Sequence, residues 1–482
     1  MIQQRLRDYF NYKRLYEQMH EKYLQEKEQR KKTQDENRQL KDENTDLKQQ
    51  LKEMAEQKKA RKAWFKQNYS VAGQEKTSSK QQRAVSPGRT PKNEKLKNVS
   101  EDRHVYPDGI SPEQCIISHT RYVTHIRNGK THIVHYHLWK QPWGEAPKLP
   151  GVMPRGEYGL EVAVILAFLV YIIEISTDQA RSILLFFTGL NLSRSQADSL
   201  LQQLATLWKP ELEKIITLLT VAYLVHIDET GWKVGKERCY TWIFTNLAHT
   251  LFLYGQSRGE ETLEQVLSRE FQGTVITGFF STYEKYFSSQ QKCWAHILRD
   301  AIKLMLLHPG QKKYRKFFDQ LHAIFVTAKE AQKDETLIQK EREKKVSTLQ
   351  KNIRRACSRS GEKIPTCATD DLRDFLNLQK RLVKYQDSLF TFVLHPEVEP
   401  TNNRAEQGLR KTAKARNNYQ TSKTERGARR RSVIASVLTS LRQNLPAFSL
   451  EAVIDETQRW RIDGFSLFDR QILIARARAS PS

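Results

Sequence analysis

The sequence predicts an α/β protein: a mixed sheet interrupted by a helical insertion and preceded by a long N-terminal coiled-coil helix. Three observations carry this expectation. First, the apolar run Val221 to Val225 leads into His226-Ile-Asp-Glu-Thr-Gly-Trp232 and reads as a strand closed by two carboxylates. Second, Lys236 to Thr245 and Thr250 to Tyr254 read as strands, Glu260 to Phe271 as a helix and Gly273 to Thr277 as a fourth strand. Third, residues 2–55 are almost free of glycine and proline and dense in Lys, Glu and Gln.

Taking the chain in order, residues 1–56 sustain one heptad register. Tyr9, Tyr16, Tyr23 and Leu51 fall on one seam position, and Tyr12, Met19, Leu40, Leu47 and Met54 on the other. Asn37 and Asn44 interrupt the first position, as polar residues do when they set register and partner number. The expectation is a homo-oligomer formed through this helix, against a solitary charged helix. Residues 57–100 change to Lys, Arg, Ser, Gln and Pro around Ser86-Pro-Gly-Arg-Thr-Pro91, too polar to fold alone, and read as a basic disordered linker. Such a linker either spaces two domains or follows phosphates without reading sequence.

Within 101–150, alternation in Tyr122 to Ile126 and Thr131 to His137 around Asn128-Gly129 reads as a β-hairpin with a tight turn. His119, His125, His132, His135 and His137 are candidate nitrogen donors, with His135 and His137 on one face. Only Cys115 stands nearby, so no zinc is expected. Residues 151–220 read as helices: an apolar helix over Val162 to Ile173, then Thr177 to Phe187, then Ser193 capping a helix to Leu207. The last two make a helix-turn-helix candidate, with Ser193, Arg194 and Ser195 at the start of its second helix, or a helical hairpin that only packs.

The first part of the core follows over 221–300, a charged helical insertion over 301–395 with a break at Gly361 to Thr369, the last part of the core over 396–445, and a C-terminal tail over 446–482. An acid-bearing strand, two antiparallel neighbours, a helix and another strand is the order of an RNase H-like sheet. In enzymes on that fold, carboxylates from the first strand, the fourth strand and a later helix hold two divalent ions.

Bulk properties narrow the function. The chain has 482 residues, 80 basic against 55 acidic, a formal charge of +25 and a pI near 9.7. That excess, concentrated in particular stretches, favours a polyanionic partner. Five widely spaced cysteines suggest no disulfide framework and a cytoplasmic setting. No apolar leader opens the sequence, and its longest apolar run is too short to cross a bilayer, so no membrane partner is expected.

Four motifs in order sharpen the picture: His226 to Trp232, Phe271-Gln-Gly-Thr-Val-Ile-Thr277, Gln291-Lys-Cys-Trp-Ala-His-Ile-Leu-Arg-Asp300 and Pro400-Thr-Asn-Asn-Arg-Ala-Glu-Gln-Gly-Leu-Arg410. Together they resemble the transposases of the insertion-sequence 66 family from Leu160 to Leu441. The resemblance implies a bacterial, nucleoid-associated DDE enzyme that cuts and joins double-stranded DNA with Mg²⁺ or Mn²⁺. It makes Asp228 the first catalytic acid and metal ligand and Glu406 the last. In the family the fourth strand ends in the second Asp; here Gly278 stands there. Glycine offers no ligand to a hard cation. Thr277, Ser281, Glu284 and Asp300 supply oxygens nearby, but none at the strand position. An active enzyme with altered ligation and a transposase-derived DNA-binding scaffold without chemistry both remain open.

Around Glu406, Arg404, Arg410, Lys411, Lys414, Arg416, Arg429, Arg430 and Arg431 form the expected DNA-binding surface, with Lys423 and Arg426 extending it. Cys293-Trp-Ala-His296 has a metal-like spacing but no second pair, so zinc is not expected there; the resemblance implies a structural role beside the sheet, with Trp294 and His296 as candidates to touch substrate.

Overall fold

The computed structural model describes residues 99–482, except 150, 154–155, 366–367, 418–420 and 480–482. The expected coiled coil and nearly all of the basic linker lie outside the described residues. The described residues lie within a single compact unit.

The unit opens with a small sheet of β1 (Glu101–Val105), β2 (Ile116–Arg127) and β3 (Lys130–Lys140), ordered β1-β3-β2. The hairpin turn follows from its sequence. Asn128 and Gly129 both take positive φ, 49° and 71°, as a two-residue turn matched to strand twist requires. The pairing of β1 in parallel with β3 was not foreseen. It brings Asp102 across to accept from His135 Nδ1 at 2.8 Å and His137 Nε2 at 2.9 Å.

Helices α1 (Leu160–Tyr171), α2 (Thr177–Thr188) and α3 (Arg194–Thr220) come next. Capping boxes, Ser176 with Gln179 and Ser193 with Gln196, start α2 and α3. Arg194, expected at the head of a DNA-reading helix, forms an ion pair with Asp178. Helix α3 runs well beyond Leu207, so Val221 caps it and is exposed rather than opening a strand.

The main sheet has the order β6-β5-β4-β7-β8. Its central strand β4 (Leu224–Val234) pairs antiparallel with β5 (Glu237–Thr245), which pairs antiparallel with β6 (Thr250–Gln256). On the other side lie the parallel strands β7 (Thr274–Thr277) and β8 (Gln290–Lys292). Between β6 and β7 the expected long helix is only α4 (Glu260–Glu264), and α5 (Ser281–Tyr286) precedes β8.

Alternation along the strands builds two cores. Val225, Ile227, Trp242 and Phe244 pack with α1, α3 and Val437 and Leu441. Trp232, Ile243, Phe252 and Tyr254 pack with Ala405 and Leu409 of α11 (Asn403–Asn417) and with Ala428 and Ala435 of α12 (Glu425–Asn444). Helix α11 spans Asn403–Asn417 and lies so close to β5 that a Cβ at Gly408 would come within 2.3 Å of Ile243 Cδ1. A larger residue there requires the end of the Ile243 side chain to swing aside.

Helix α12 (Glu425–Asn444) covers the outer edge of the sheet. The hydroxyls of Ser440, Ser436 and Ser432 accept the outward N–H groups of Thr250, Phe252 and Tyr254 at 3.0, 2.8 and 2.9 Å. The match is metric: four helical residues advance about 6 Å and two strand residues about 6.6 Å, so three serines stay in step with three amides.

The insertion comprises α6 (Trp294–Leu307), α7 (Lys312–Lys333), α8 (Gln339–Ala356), α9 (Asp370–Lys384) and the single turn α10 (Thr391–Leu394). The charged stretch from Glu330 to Arg355 is a helical pair, broken between Lys333 and Gln339. Residues 446–482, expected as a tail, instead carry α13 (Leu450–Ile462) and α14 (Leu467–Ala479). They pack: Trp460 stacks edge-on to Trp208 at 6.2 Å and Phe468 is fully buried. Among the described residues no helix is long and apolar enough to cross a membrane.

Candidate active site

Asp228 is the fifth residue of β4 and sits mid-strand, not at a strand end as expected. The antiparallel pairing with β5 carries β4 on to Val234, whereas the parallel pairing with β7 stops near Asp228. That register matches Leu224 with Thr274 and His226 with Ile276. Continued by two residues, it sets Gly278 beside Asp228, on the same face. β7 ends at Thr277, one residue before that position.

Next comes the start of α11, which Asn402 holds in place. This residue is completely buried. Its Nδ2 donates to the Ile227 carbonyl at 2.8 Å, its Oδ1 faces His226 Nδ1 at 3.1 Å, and its backbone N–H donates to Cys293 Sγ at 3.1 Å. Three strands or helix starts are thus tied to one side chain and its amide. One turn later Glu406 projects toward the sheet, near enough to Asp228 to help raise that carboxyl. Glu406 faces Arg299 Nη2 at 3.3 Å, His296 Nδ1 at 3.6 Å and Cys293 Sγ at 3.9 Å. The motifs single out Asp228 and Glu406; Arg299 beside Glu406 and the tying role of Asn402 were not foreseen. The Cys293-to-Asp300 motif contains Arg299, and an i,i+3 step from His296 on a helix was the available signal.

Asp228 is largely buried, and burial first, then Glu229 and Glu406, raises its carboxyl to about 7. A raised acid favours the folded state below the unfolded value near 4, and that contribution disappears as pH climbs through 7. Asp228→Asn is therefore expected to melt several degrees above the unaltered protein at pH 8 in chelator, with little difference at pH 4.5; thermal melts across that range check it.

The neighbouring Glu229 has a different job. Its carboxylate is 6% exposed and is held by Arg258 at 2.8 Å and by the Tyr283 hydroxyl. The oxygens that sequence offered in place of a second acid are mostly committed elsewhere. Thr277 accepts from Lys292 Nζ at 3.0 Å, Glu284 pairs with Lys384 at 2.8 Å and Asp300 pairs with Arg381. Ser281 is exposed at the start of α5.

Gly278 itself is under no constraint to be glycine. Its φ is not positive, and an added Cβ would meet only the His296 ring, at 3.9 Å. An aspartate fits there. Without one, the three-carboxylate oxygen cage that Mg²⁺ favours is incomplete, and this donor set does not fit a paired-metal site.

The basic residues sort into two groups. Arg410, Lys411, Lys414 and Arg429 are exposed on α11 and α12. Four others are turned inward. Arg404 pairs with Glu399 at 2.8 Å, Arg416 donates to the Gly231 carbonyl at 2.9 Å, and Arg430 pairs with Asp198 at 2.6 Å. Arg431, expected to meet phosphate, is buried. It pairs with Glu174 and lies over the rings of Trp232 and Tyr254 at 5.0 and 5.1 Å. Trp294, expected near substrate, is fully buried with its indole N–H on the Leu389 carbonyl at 2.6 Å.

No curated protein matches the chain. The model of the transposase IS66 family matches residues 164–430, which takes in the acid-bearing strand, the insertion and the helix of Glu406. With more than half of its length matched in this way, the chain belongs to the IS66 family of transposases.

Proposed function

We propose that this chain is a DDE-type transposase on an RNase H-like core that grips element-end duplex DNA, and that its cleavage and transfer chemistry is largely disabled at Gly278. One observation supports the reading: Glu406, remote in sequence, comes near enough to raise the Asp228 carboxyl, and it lies against His296, the ring that a Cβ at Gly278 would meet. The strand order β6-β5-β4-β7-β8, with the acid on the central strand, supports the core assignment.

Around the cleft the chain's own residues still do work. Arg299 and the exposed Arg410, Lys411, Lys414 and Arg429 offer cations to backbone phosphates, which position a duplex without reading its sequence. Asp228, held near neutrality, and Glu406, held by Arg299, present two carboxyl groups to a reacting phosphate. In related enzymes divalent ions activate the attacking water or 3′-hydroxyl. With one carboxylate missing, no such step follows for this chain. The expected N-terminal coiled coil would let two copies hold two ends, and the basic linker would extend their grip on phosphate.

The test is strand cleavage and transfer on element-end duplex with Mg²⁺ or Mn²⁺, comparing the unaltered chain with Gly278→Asp. The expected result is binding by both and cleavage at least about 100-fold faster in the Asp variant, the scale on which a lost catalytic group is felt. Equal cleavage by both that vanishes in Asp228→Ala would overturn the disabled reading. Failure of both to prefer duplex DNA over RNA would overturn the transposase reading.

A further inference from the structure

The place where the second acid is missing holds a different set of donors. We propose that Cys293, His296 and Glu406 form a mononuclear site for a softer divalent ion such as Zn²⁺ or Co²⁺, in place of the hard-cation pair. This rests on the reading of the cleft given above and deepens it.

Spacing is the first argument. One ligand atom from each of the three residues lies within 4.8 Å of the others. Around a tetrahedral zinc with bonds of about 2.0–2.3 Å, ligand atoms stand about 3.3–3.6 Å apart. Here Nδ1 of His296 is 3.6 Å and Sγ of Cys293 3.9 Å from the same oxygen of Glu406. The first is too long for a hydrogen bond and the second is at the limit for sulfur. The atoms keep a distance suited to sharing an ion.

The second argument is an orphan. His296 Nδ1 is shielded from solvent and has no hydrogen-bond partner. A buried nitrogen left bare is costly, and coordination would satisfy it. The ring's far edge faces Gly278, where the family's acid would have stood.

The surroundings suit coordination. Cys293 precedes α6 and His296 lies in its first turn, so one helix start supplies both donors to one side while α11 supplies the third. The amide of Asn402 donates to the sulfur, as outer groups do for a bound thiolate. Arg299 takes the other oxygen of Glu406 and leaves the first one free. Binding exchanges the thiol proton and bound water for protein ligands, releasing the proton to solvent. Sulfur and imidazole in the set select against Mg²⁺. Three protein ligands leave one position for water.

The experiment is a titration of the full chain with Co²⁺ followed by its visible absorption, and with Zn²⁺ by calorimetry. One tight ion is expected, with a thiolate-to-cobalt band that Cys293→Ser abolishes. His296→Ala and Glu406→Gln are expected to weaken binding by about 10-fold or more, and a 100-fold excess of Mg²⁺ to leave the spectrum unchanged. Melting curves show whether each variant is folded; Cys293→Ser, which keeps shape, separates lost ligation from lost fold. Absence of binding, or binding indifferent to all three substitutions, would overturn the proposal. So would loss of the ion in His135→Ala alone, since that places it at the Asp102 and His137 cluster. Because the readout is the ion's own spectrum, failure of DNA cleavage or binding leaves this result intact.

Discussion

Glu174→Ala is expected to lower stability by about 3–5 kcal/mol, the range for leaving one partner of a buried ion pair uncompensated. Arg431 is 7% exposed, enclosed by Tyr171, Trp232 and Tyr254, and Glu174 is its carboxylate partner. Without Glu174 the guanidinium can neither lose its proton nor reach water. Glu174 also sits at φ 65°, in the left-handed region, a backbone cost that alanine, having the same Cβ, leaves unchanged. Glu174→Gln, which keeps an acceptor, should lie between the two, and Glu174→Gln with Arg431→Met should recover much of the loss. Urea denaturation midpoints order the four proteins. If Glu174→Ala is as stable as the parent, the pair is not buried as described.

Asn402→Leu carries the second large effect, on stability and on the cleft together. Leucine has similar bulk, but it strands the Ile227 carbonyl and His226 Nδ1, both inside the protein. Each orphaned buried group costs about 1–3 kcal/mol, so about 2–6 kcal/mol in all is expected. Burial already holds His226 down to about 4, so it cannot compensate by charging at neutral pH. The loosened start of α11 would let Glu406 drift from Asp228. The cobalt spectrum should broaden or vanish even at temperatures where circular dichroism reports a folded protein, whereas Asn403→Ala on the exposed side should change neither.

Comparison of residue pattern with structure shows which signals are local. β5, β6 and β7 were legible because β-branched and aromatic residues alternate or cluster between turn signals, and the hairpin because Asn128-Gly129 admits one turn type. β8 was invisible. Gln290-Gln-Lys292 looks like a loop, yet all three are buried, with Gln291 on the Leu389 carbonyl and Lys292 on Thr277. Tertiary hydrogen bonds, not apolarity, make that strand. The start of β4 was misplaced because Val221 to Val225 is equally apolar as a helix end and as a strand. The proximity of Glu406 to Asp228 followed from no local signal; only the motifs suggested pairing them. Arg431 was misassigned because a run of three arginines says nothing about which one turns inward on a helix.

The serine ladder on α12 has a consequence for how copies of the chain can meet. An open strand margin invites recruitment of a foreign strand, the first step of cross-β aggregation. Here hydroxyl groups have already claimed the amides that a newcomer would need. Strand addition along the β6 edge is therefore closed, and a second copy of the chain cannot extend the sheet on that side.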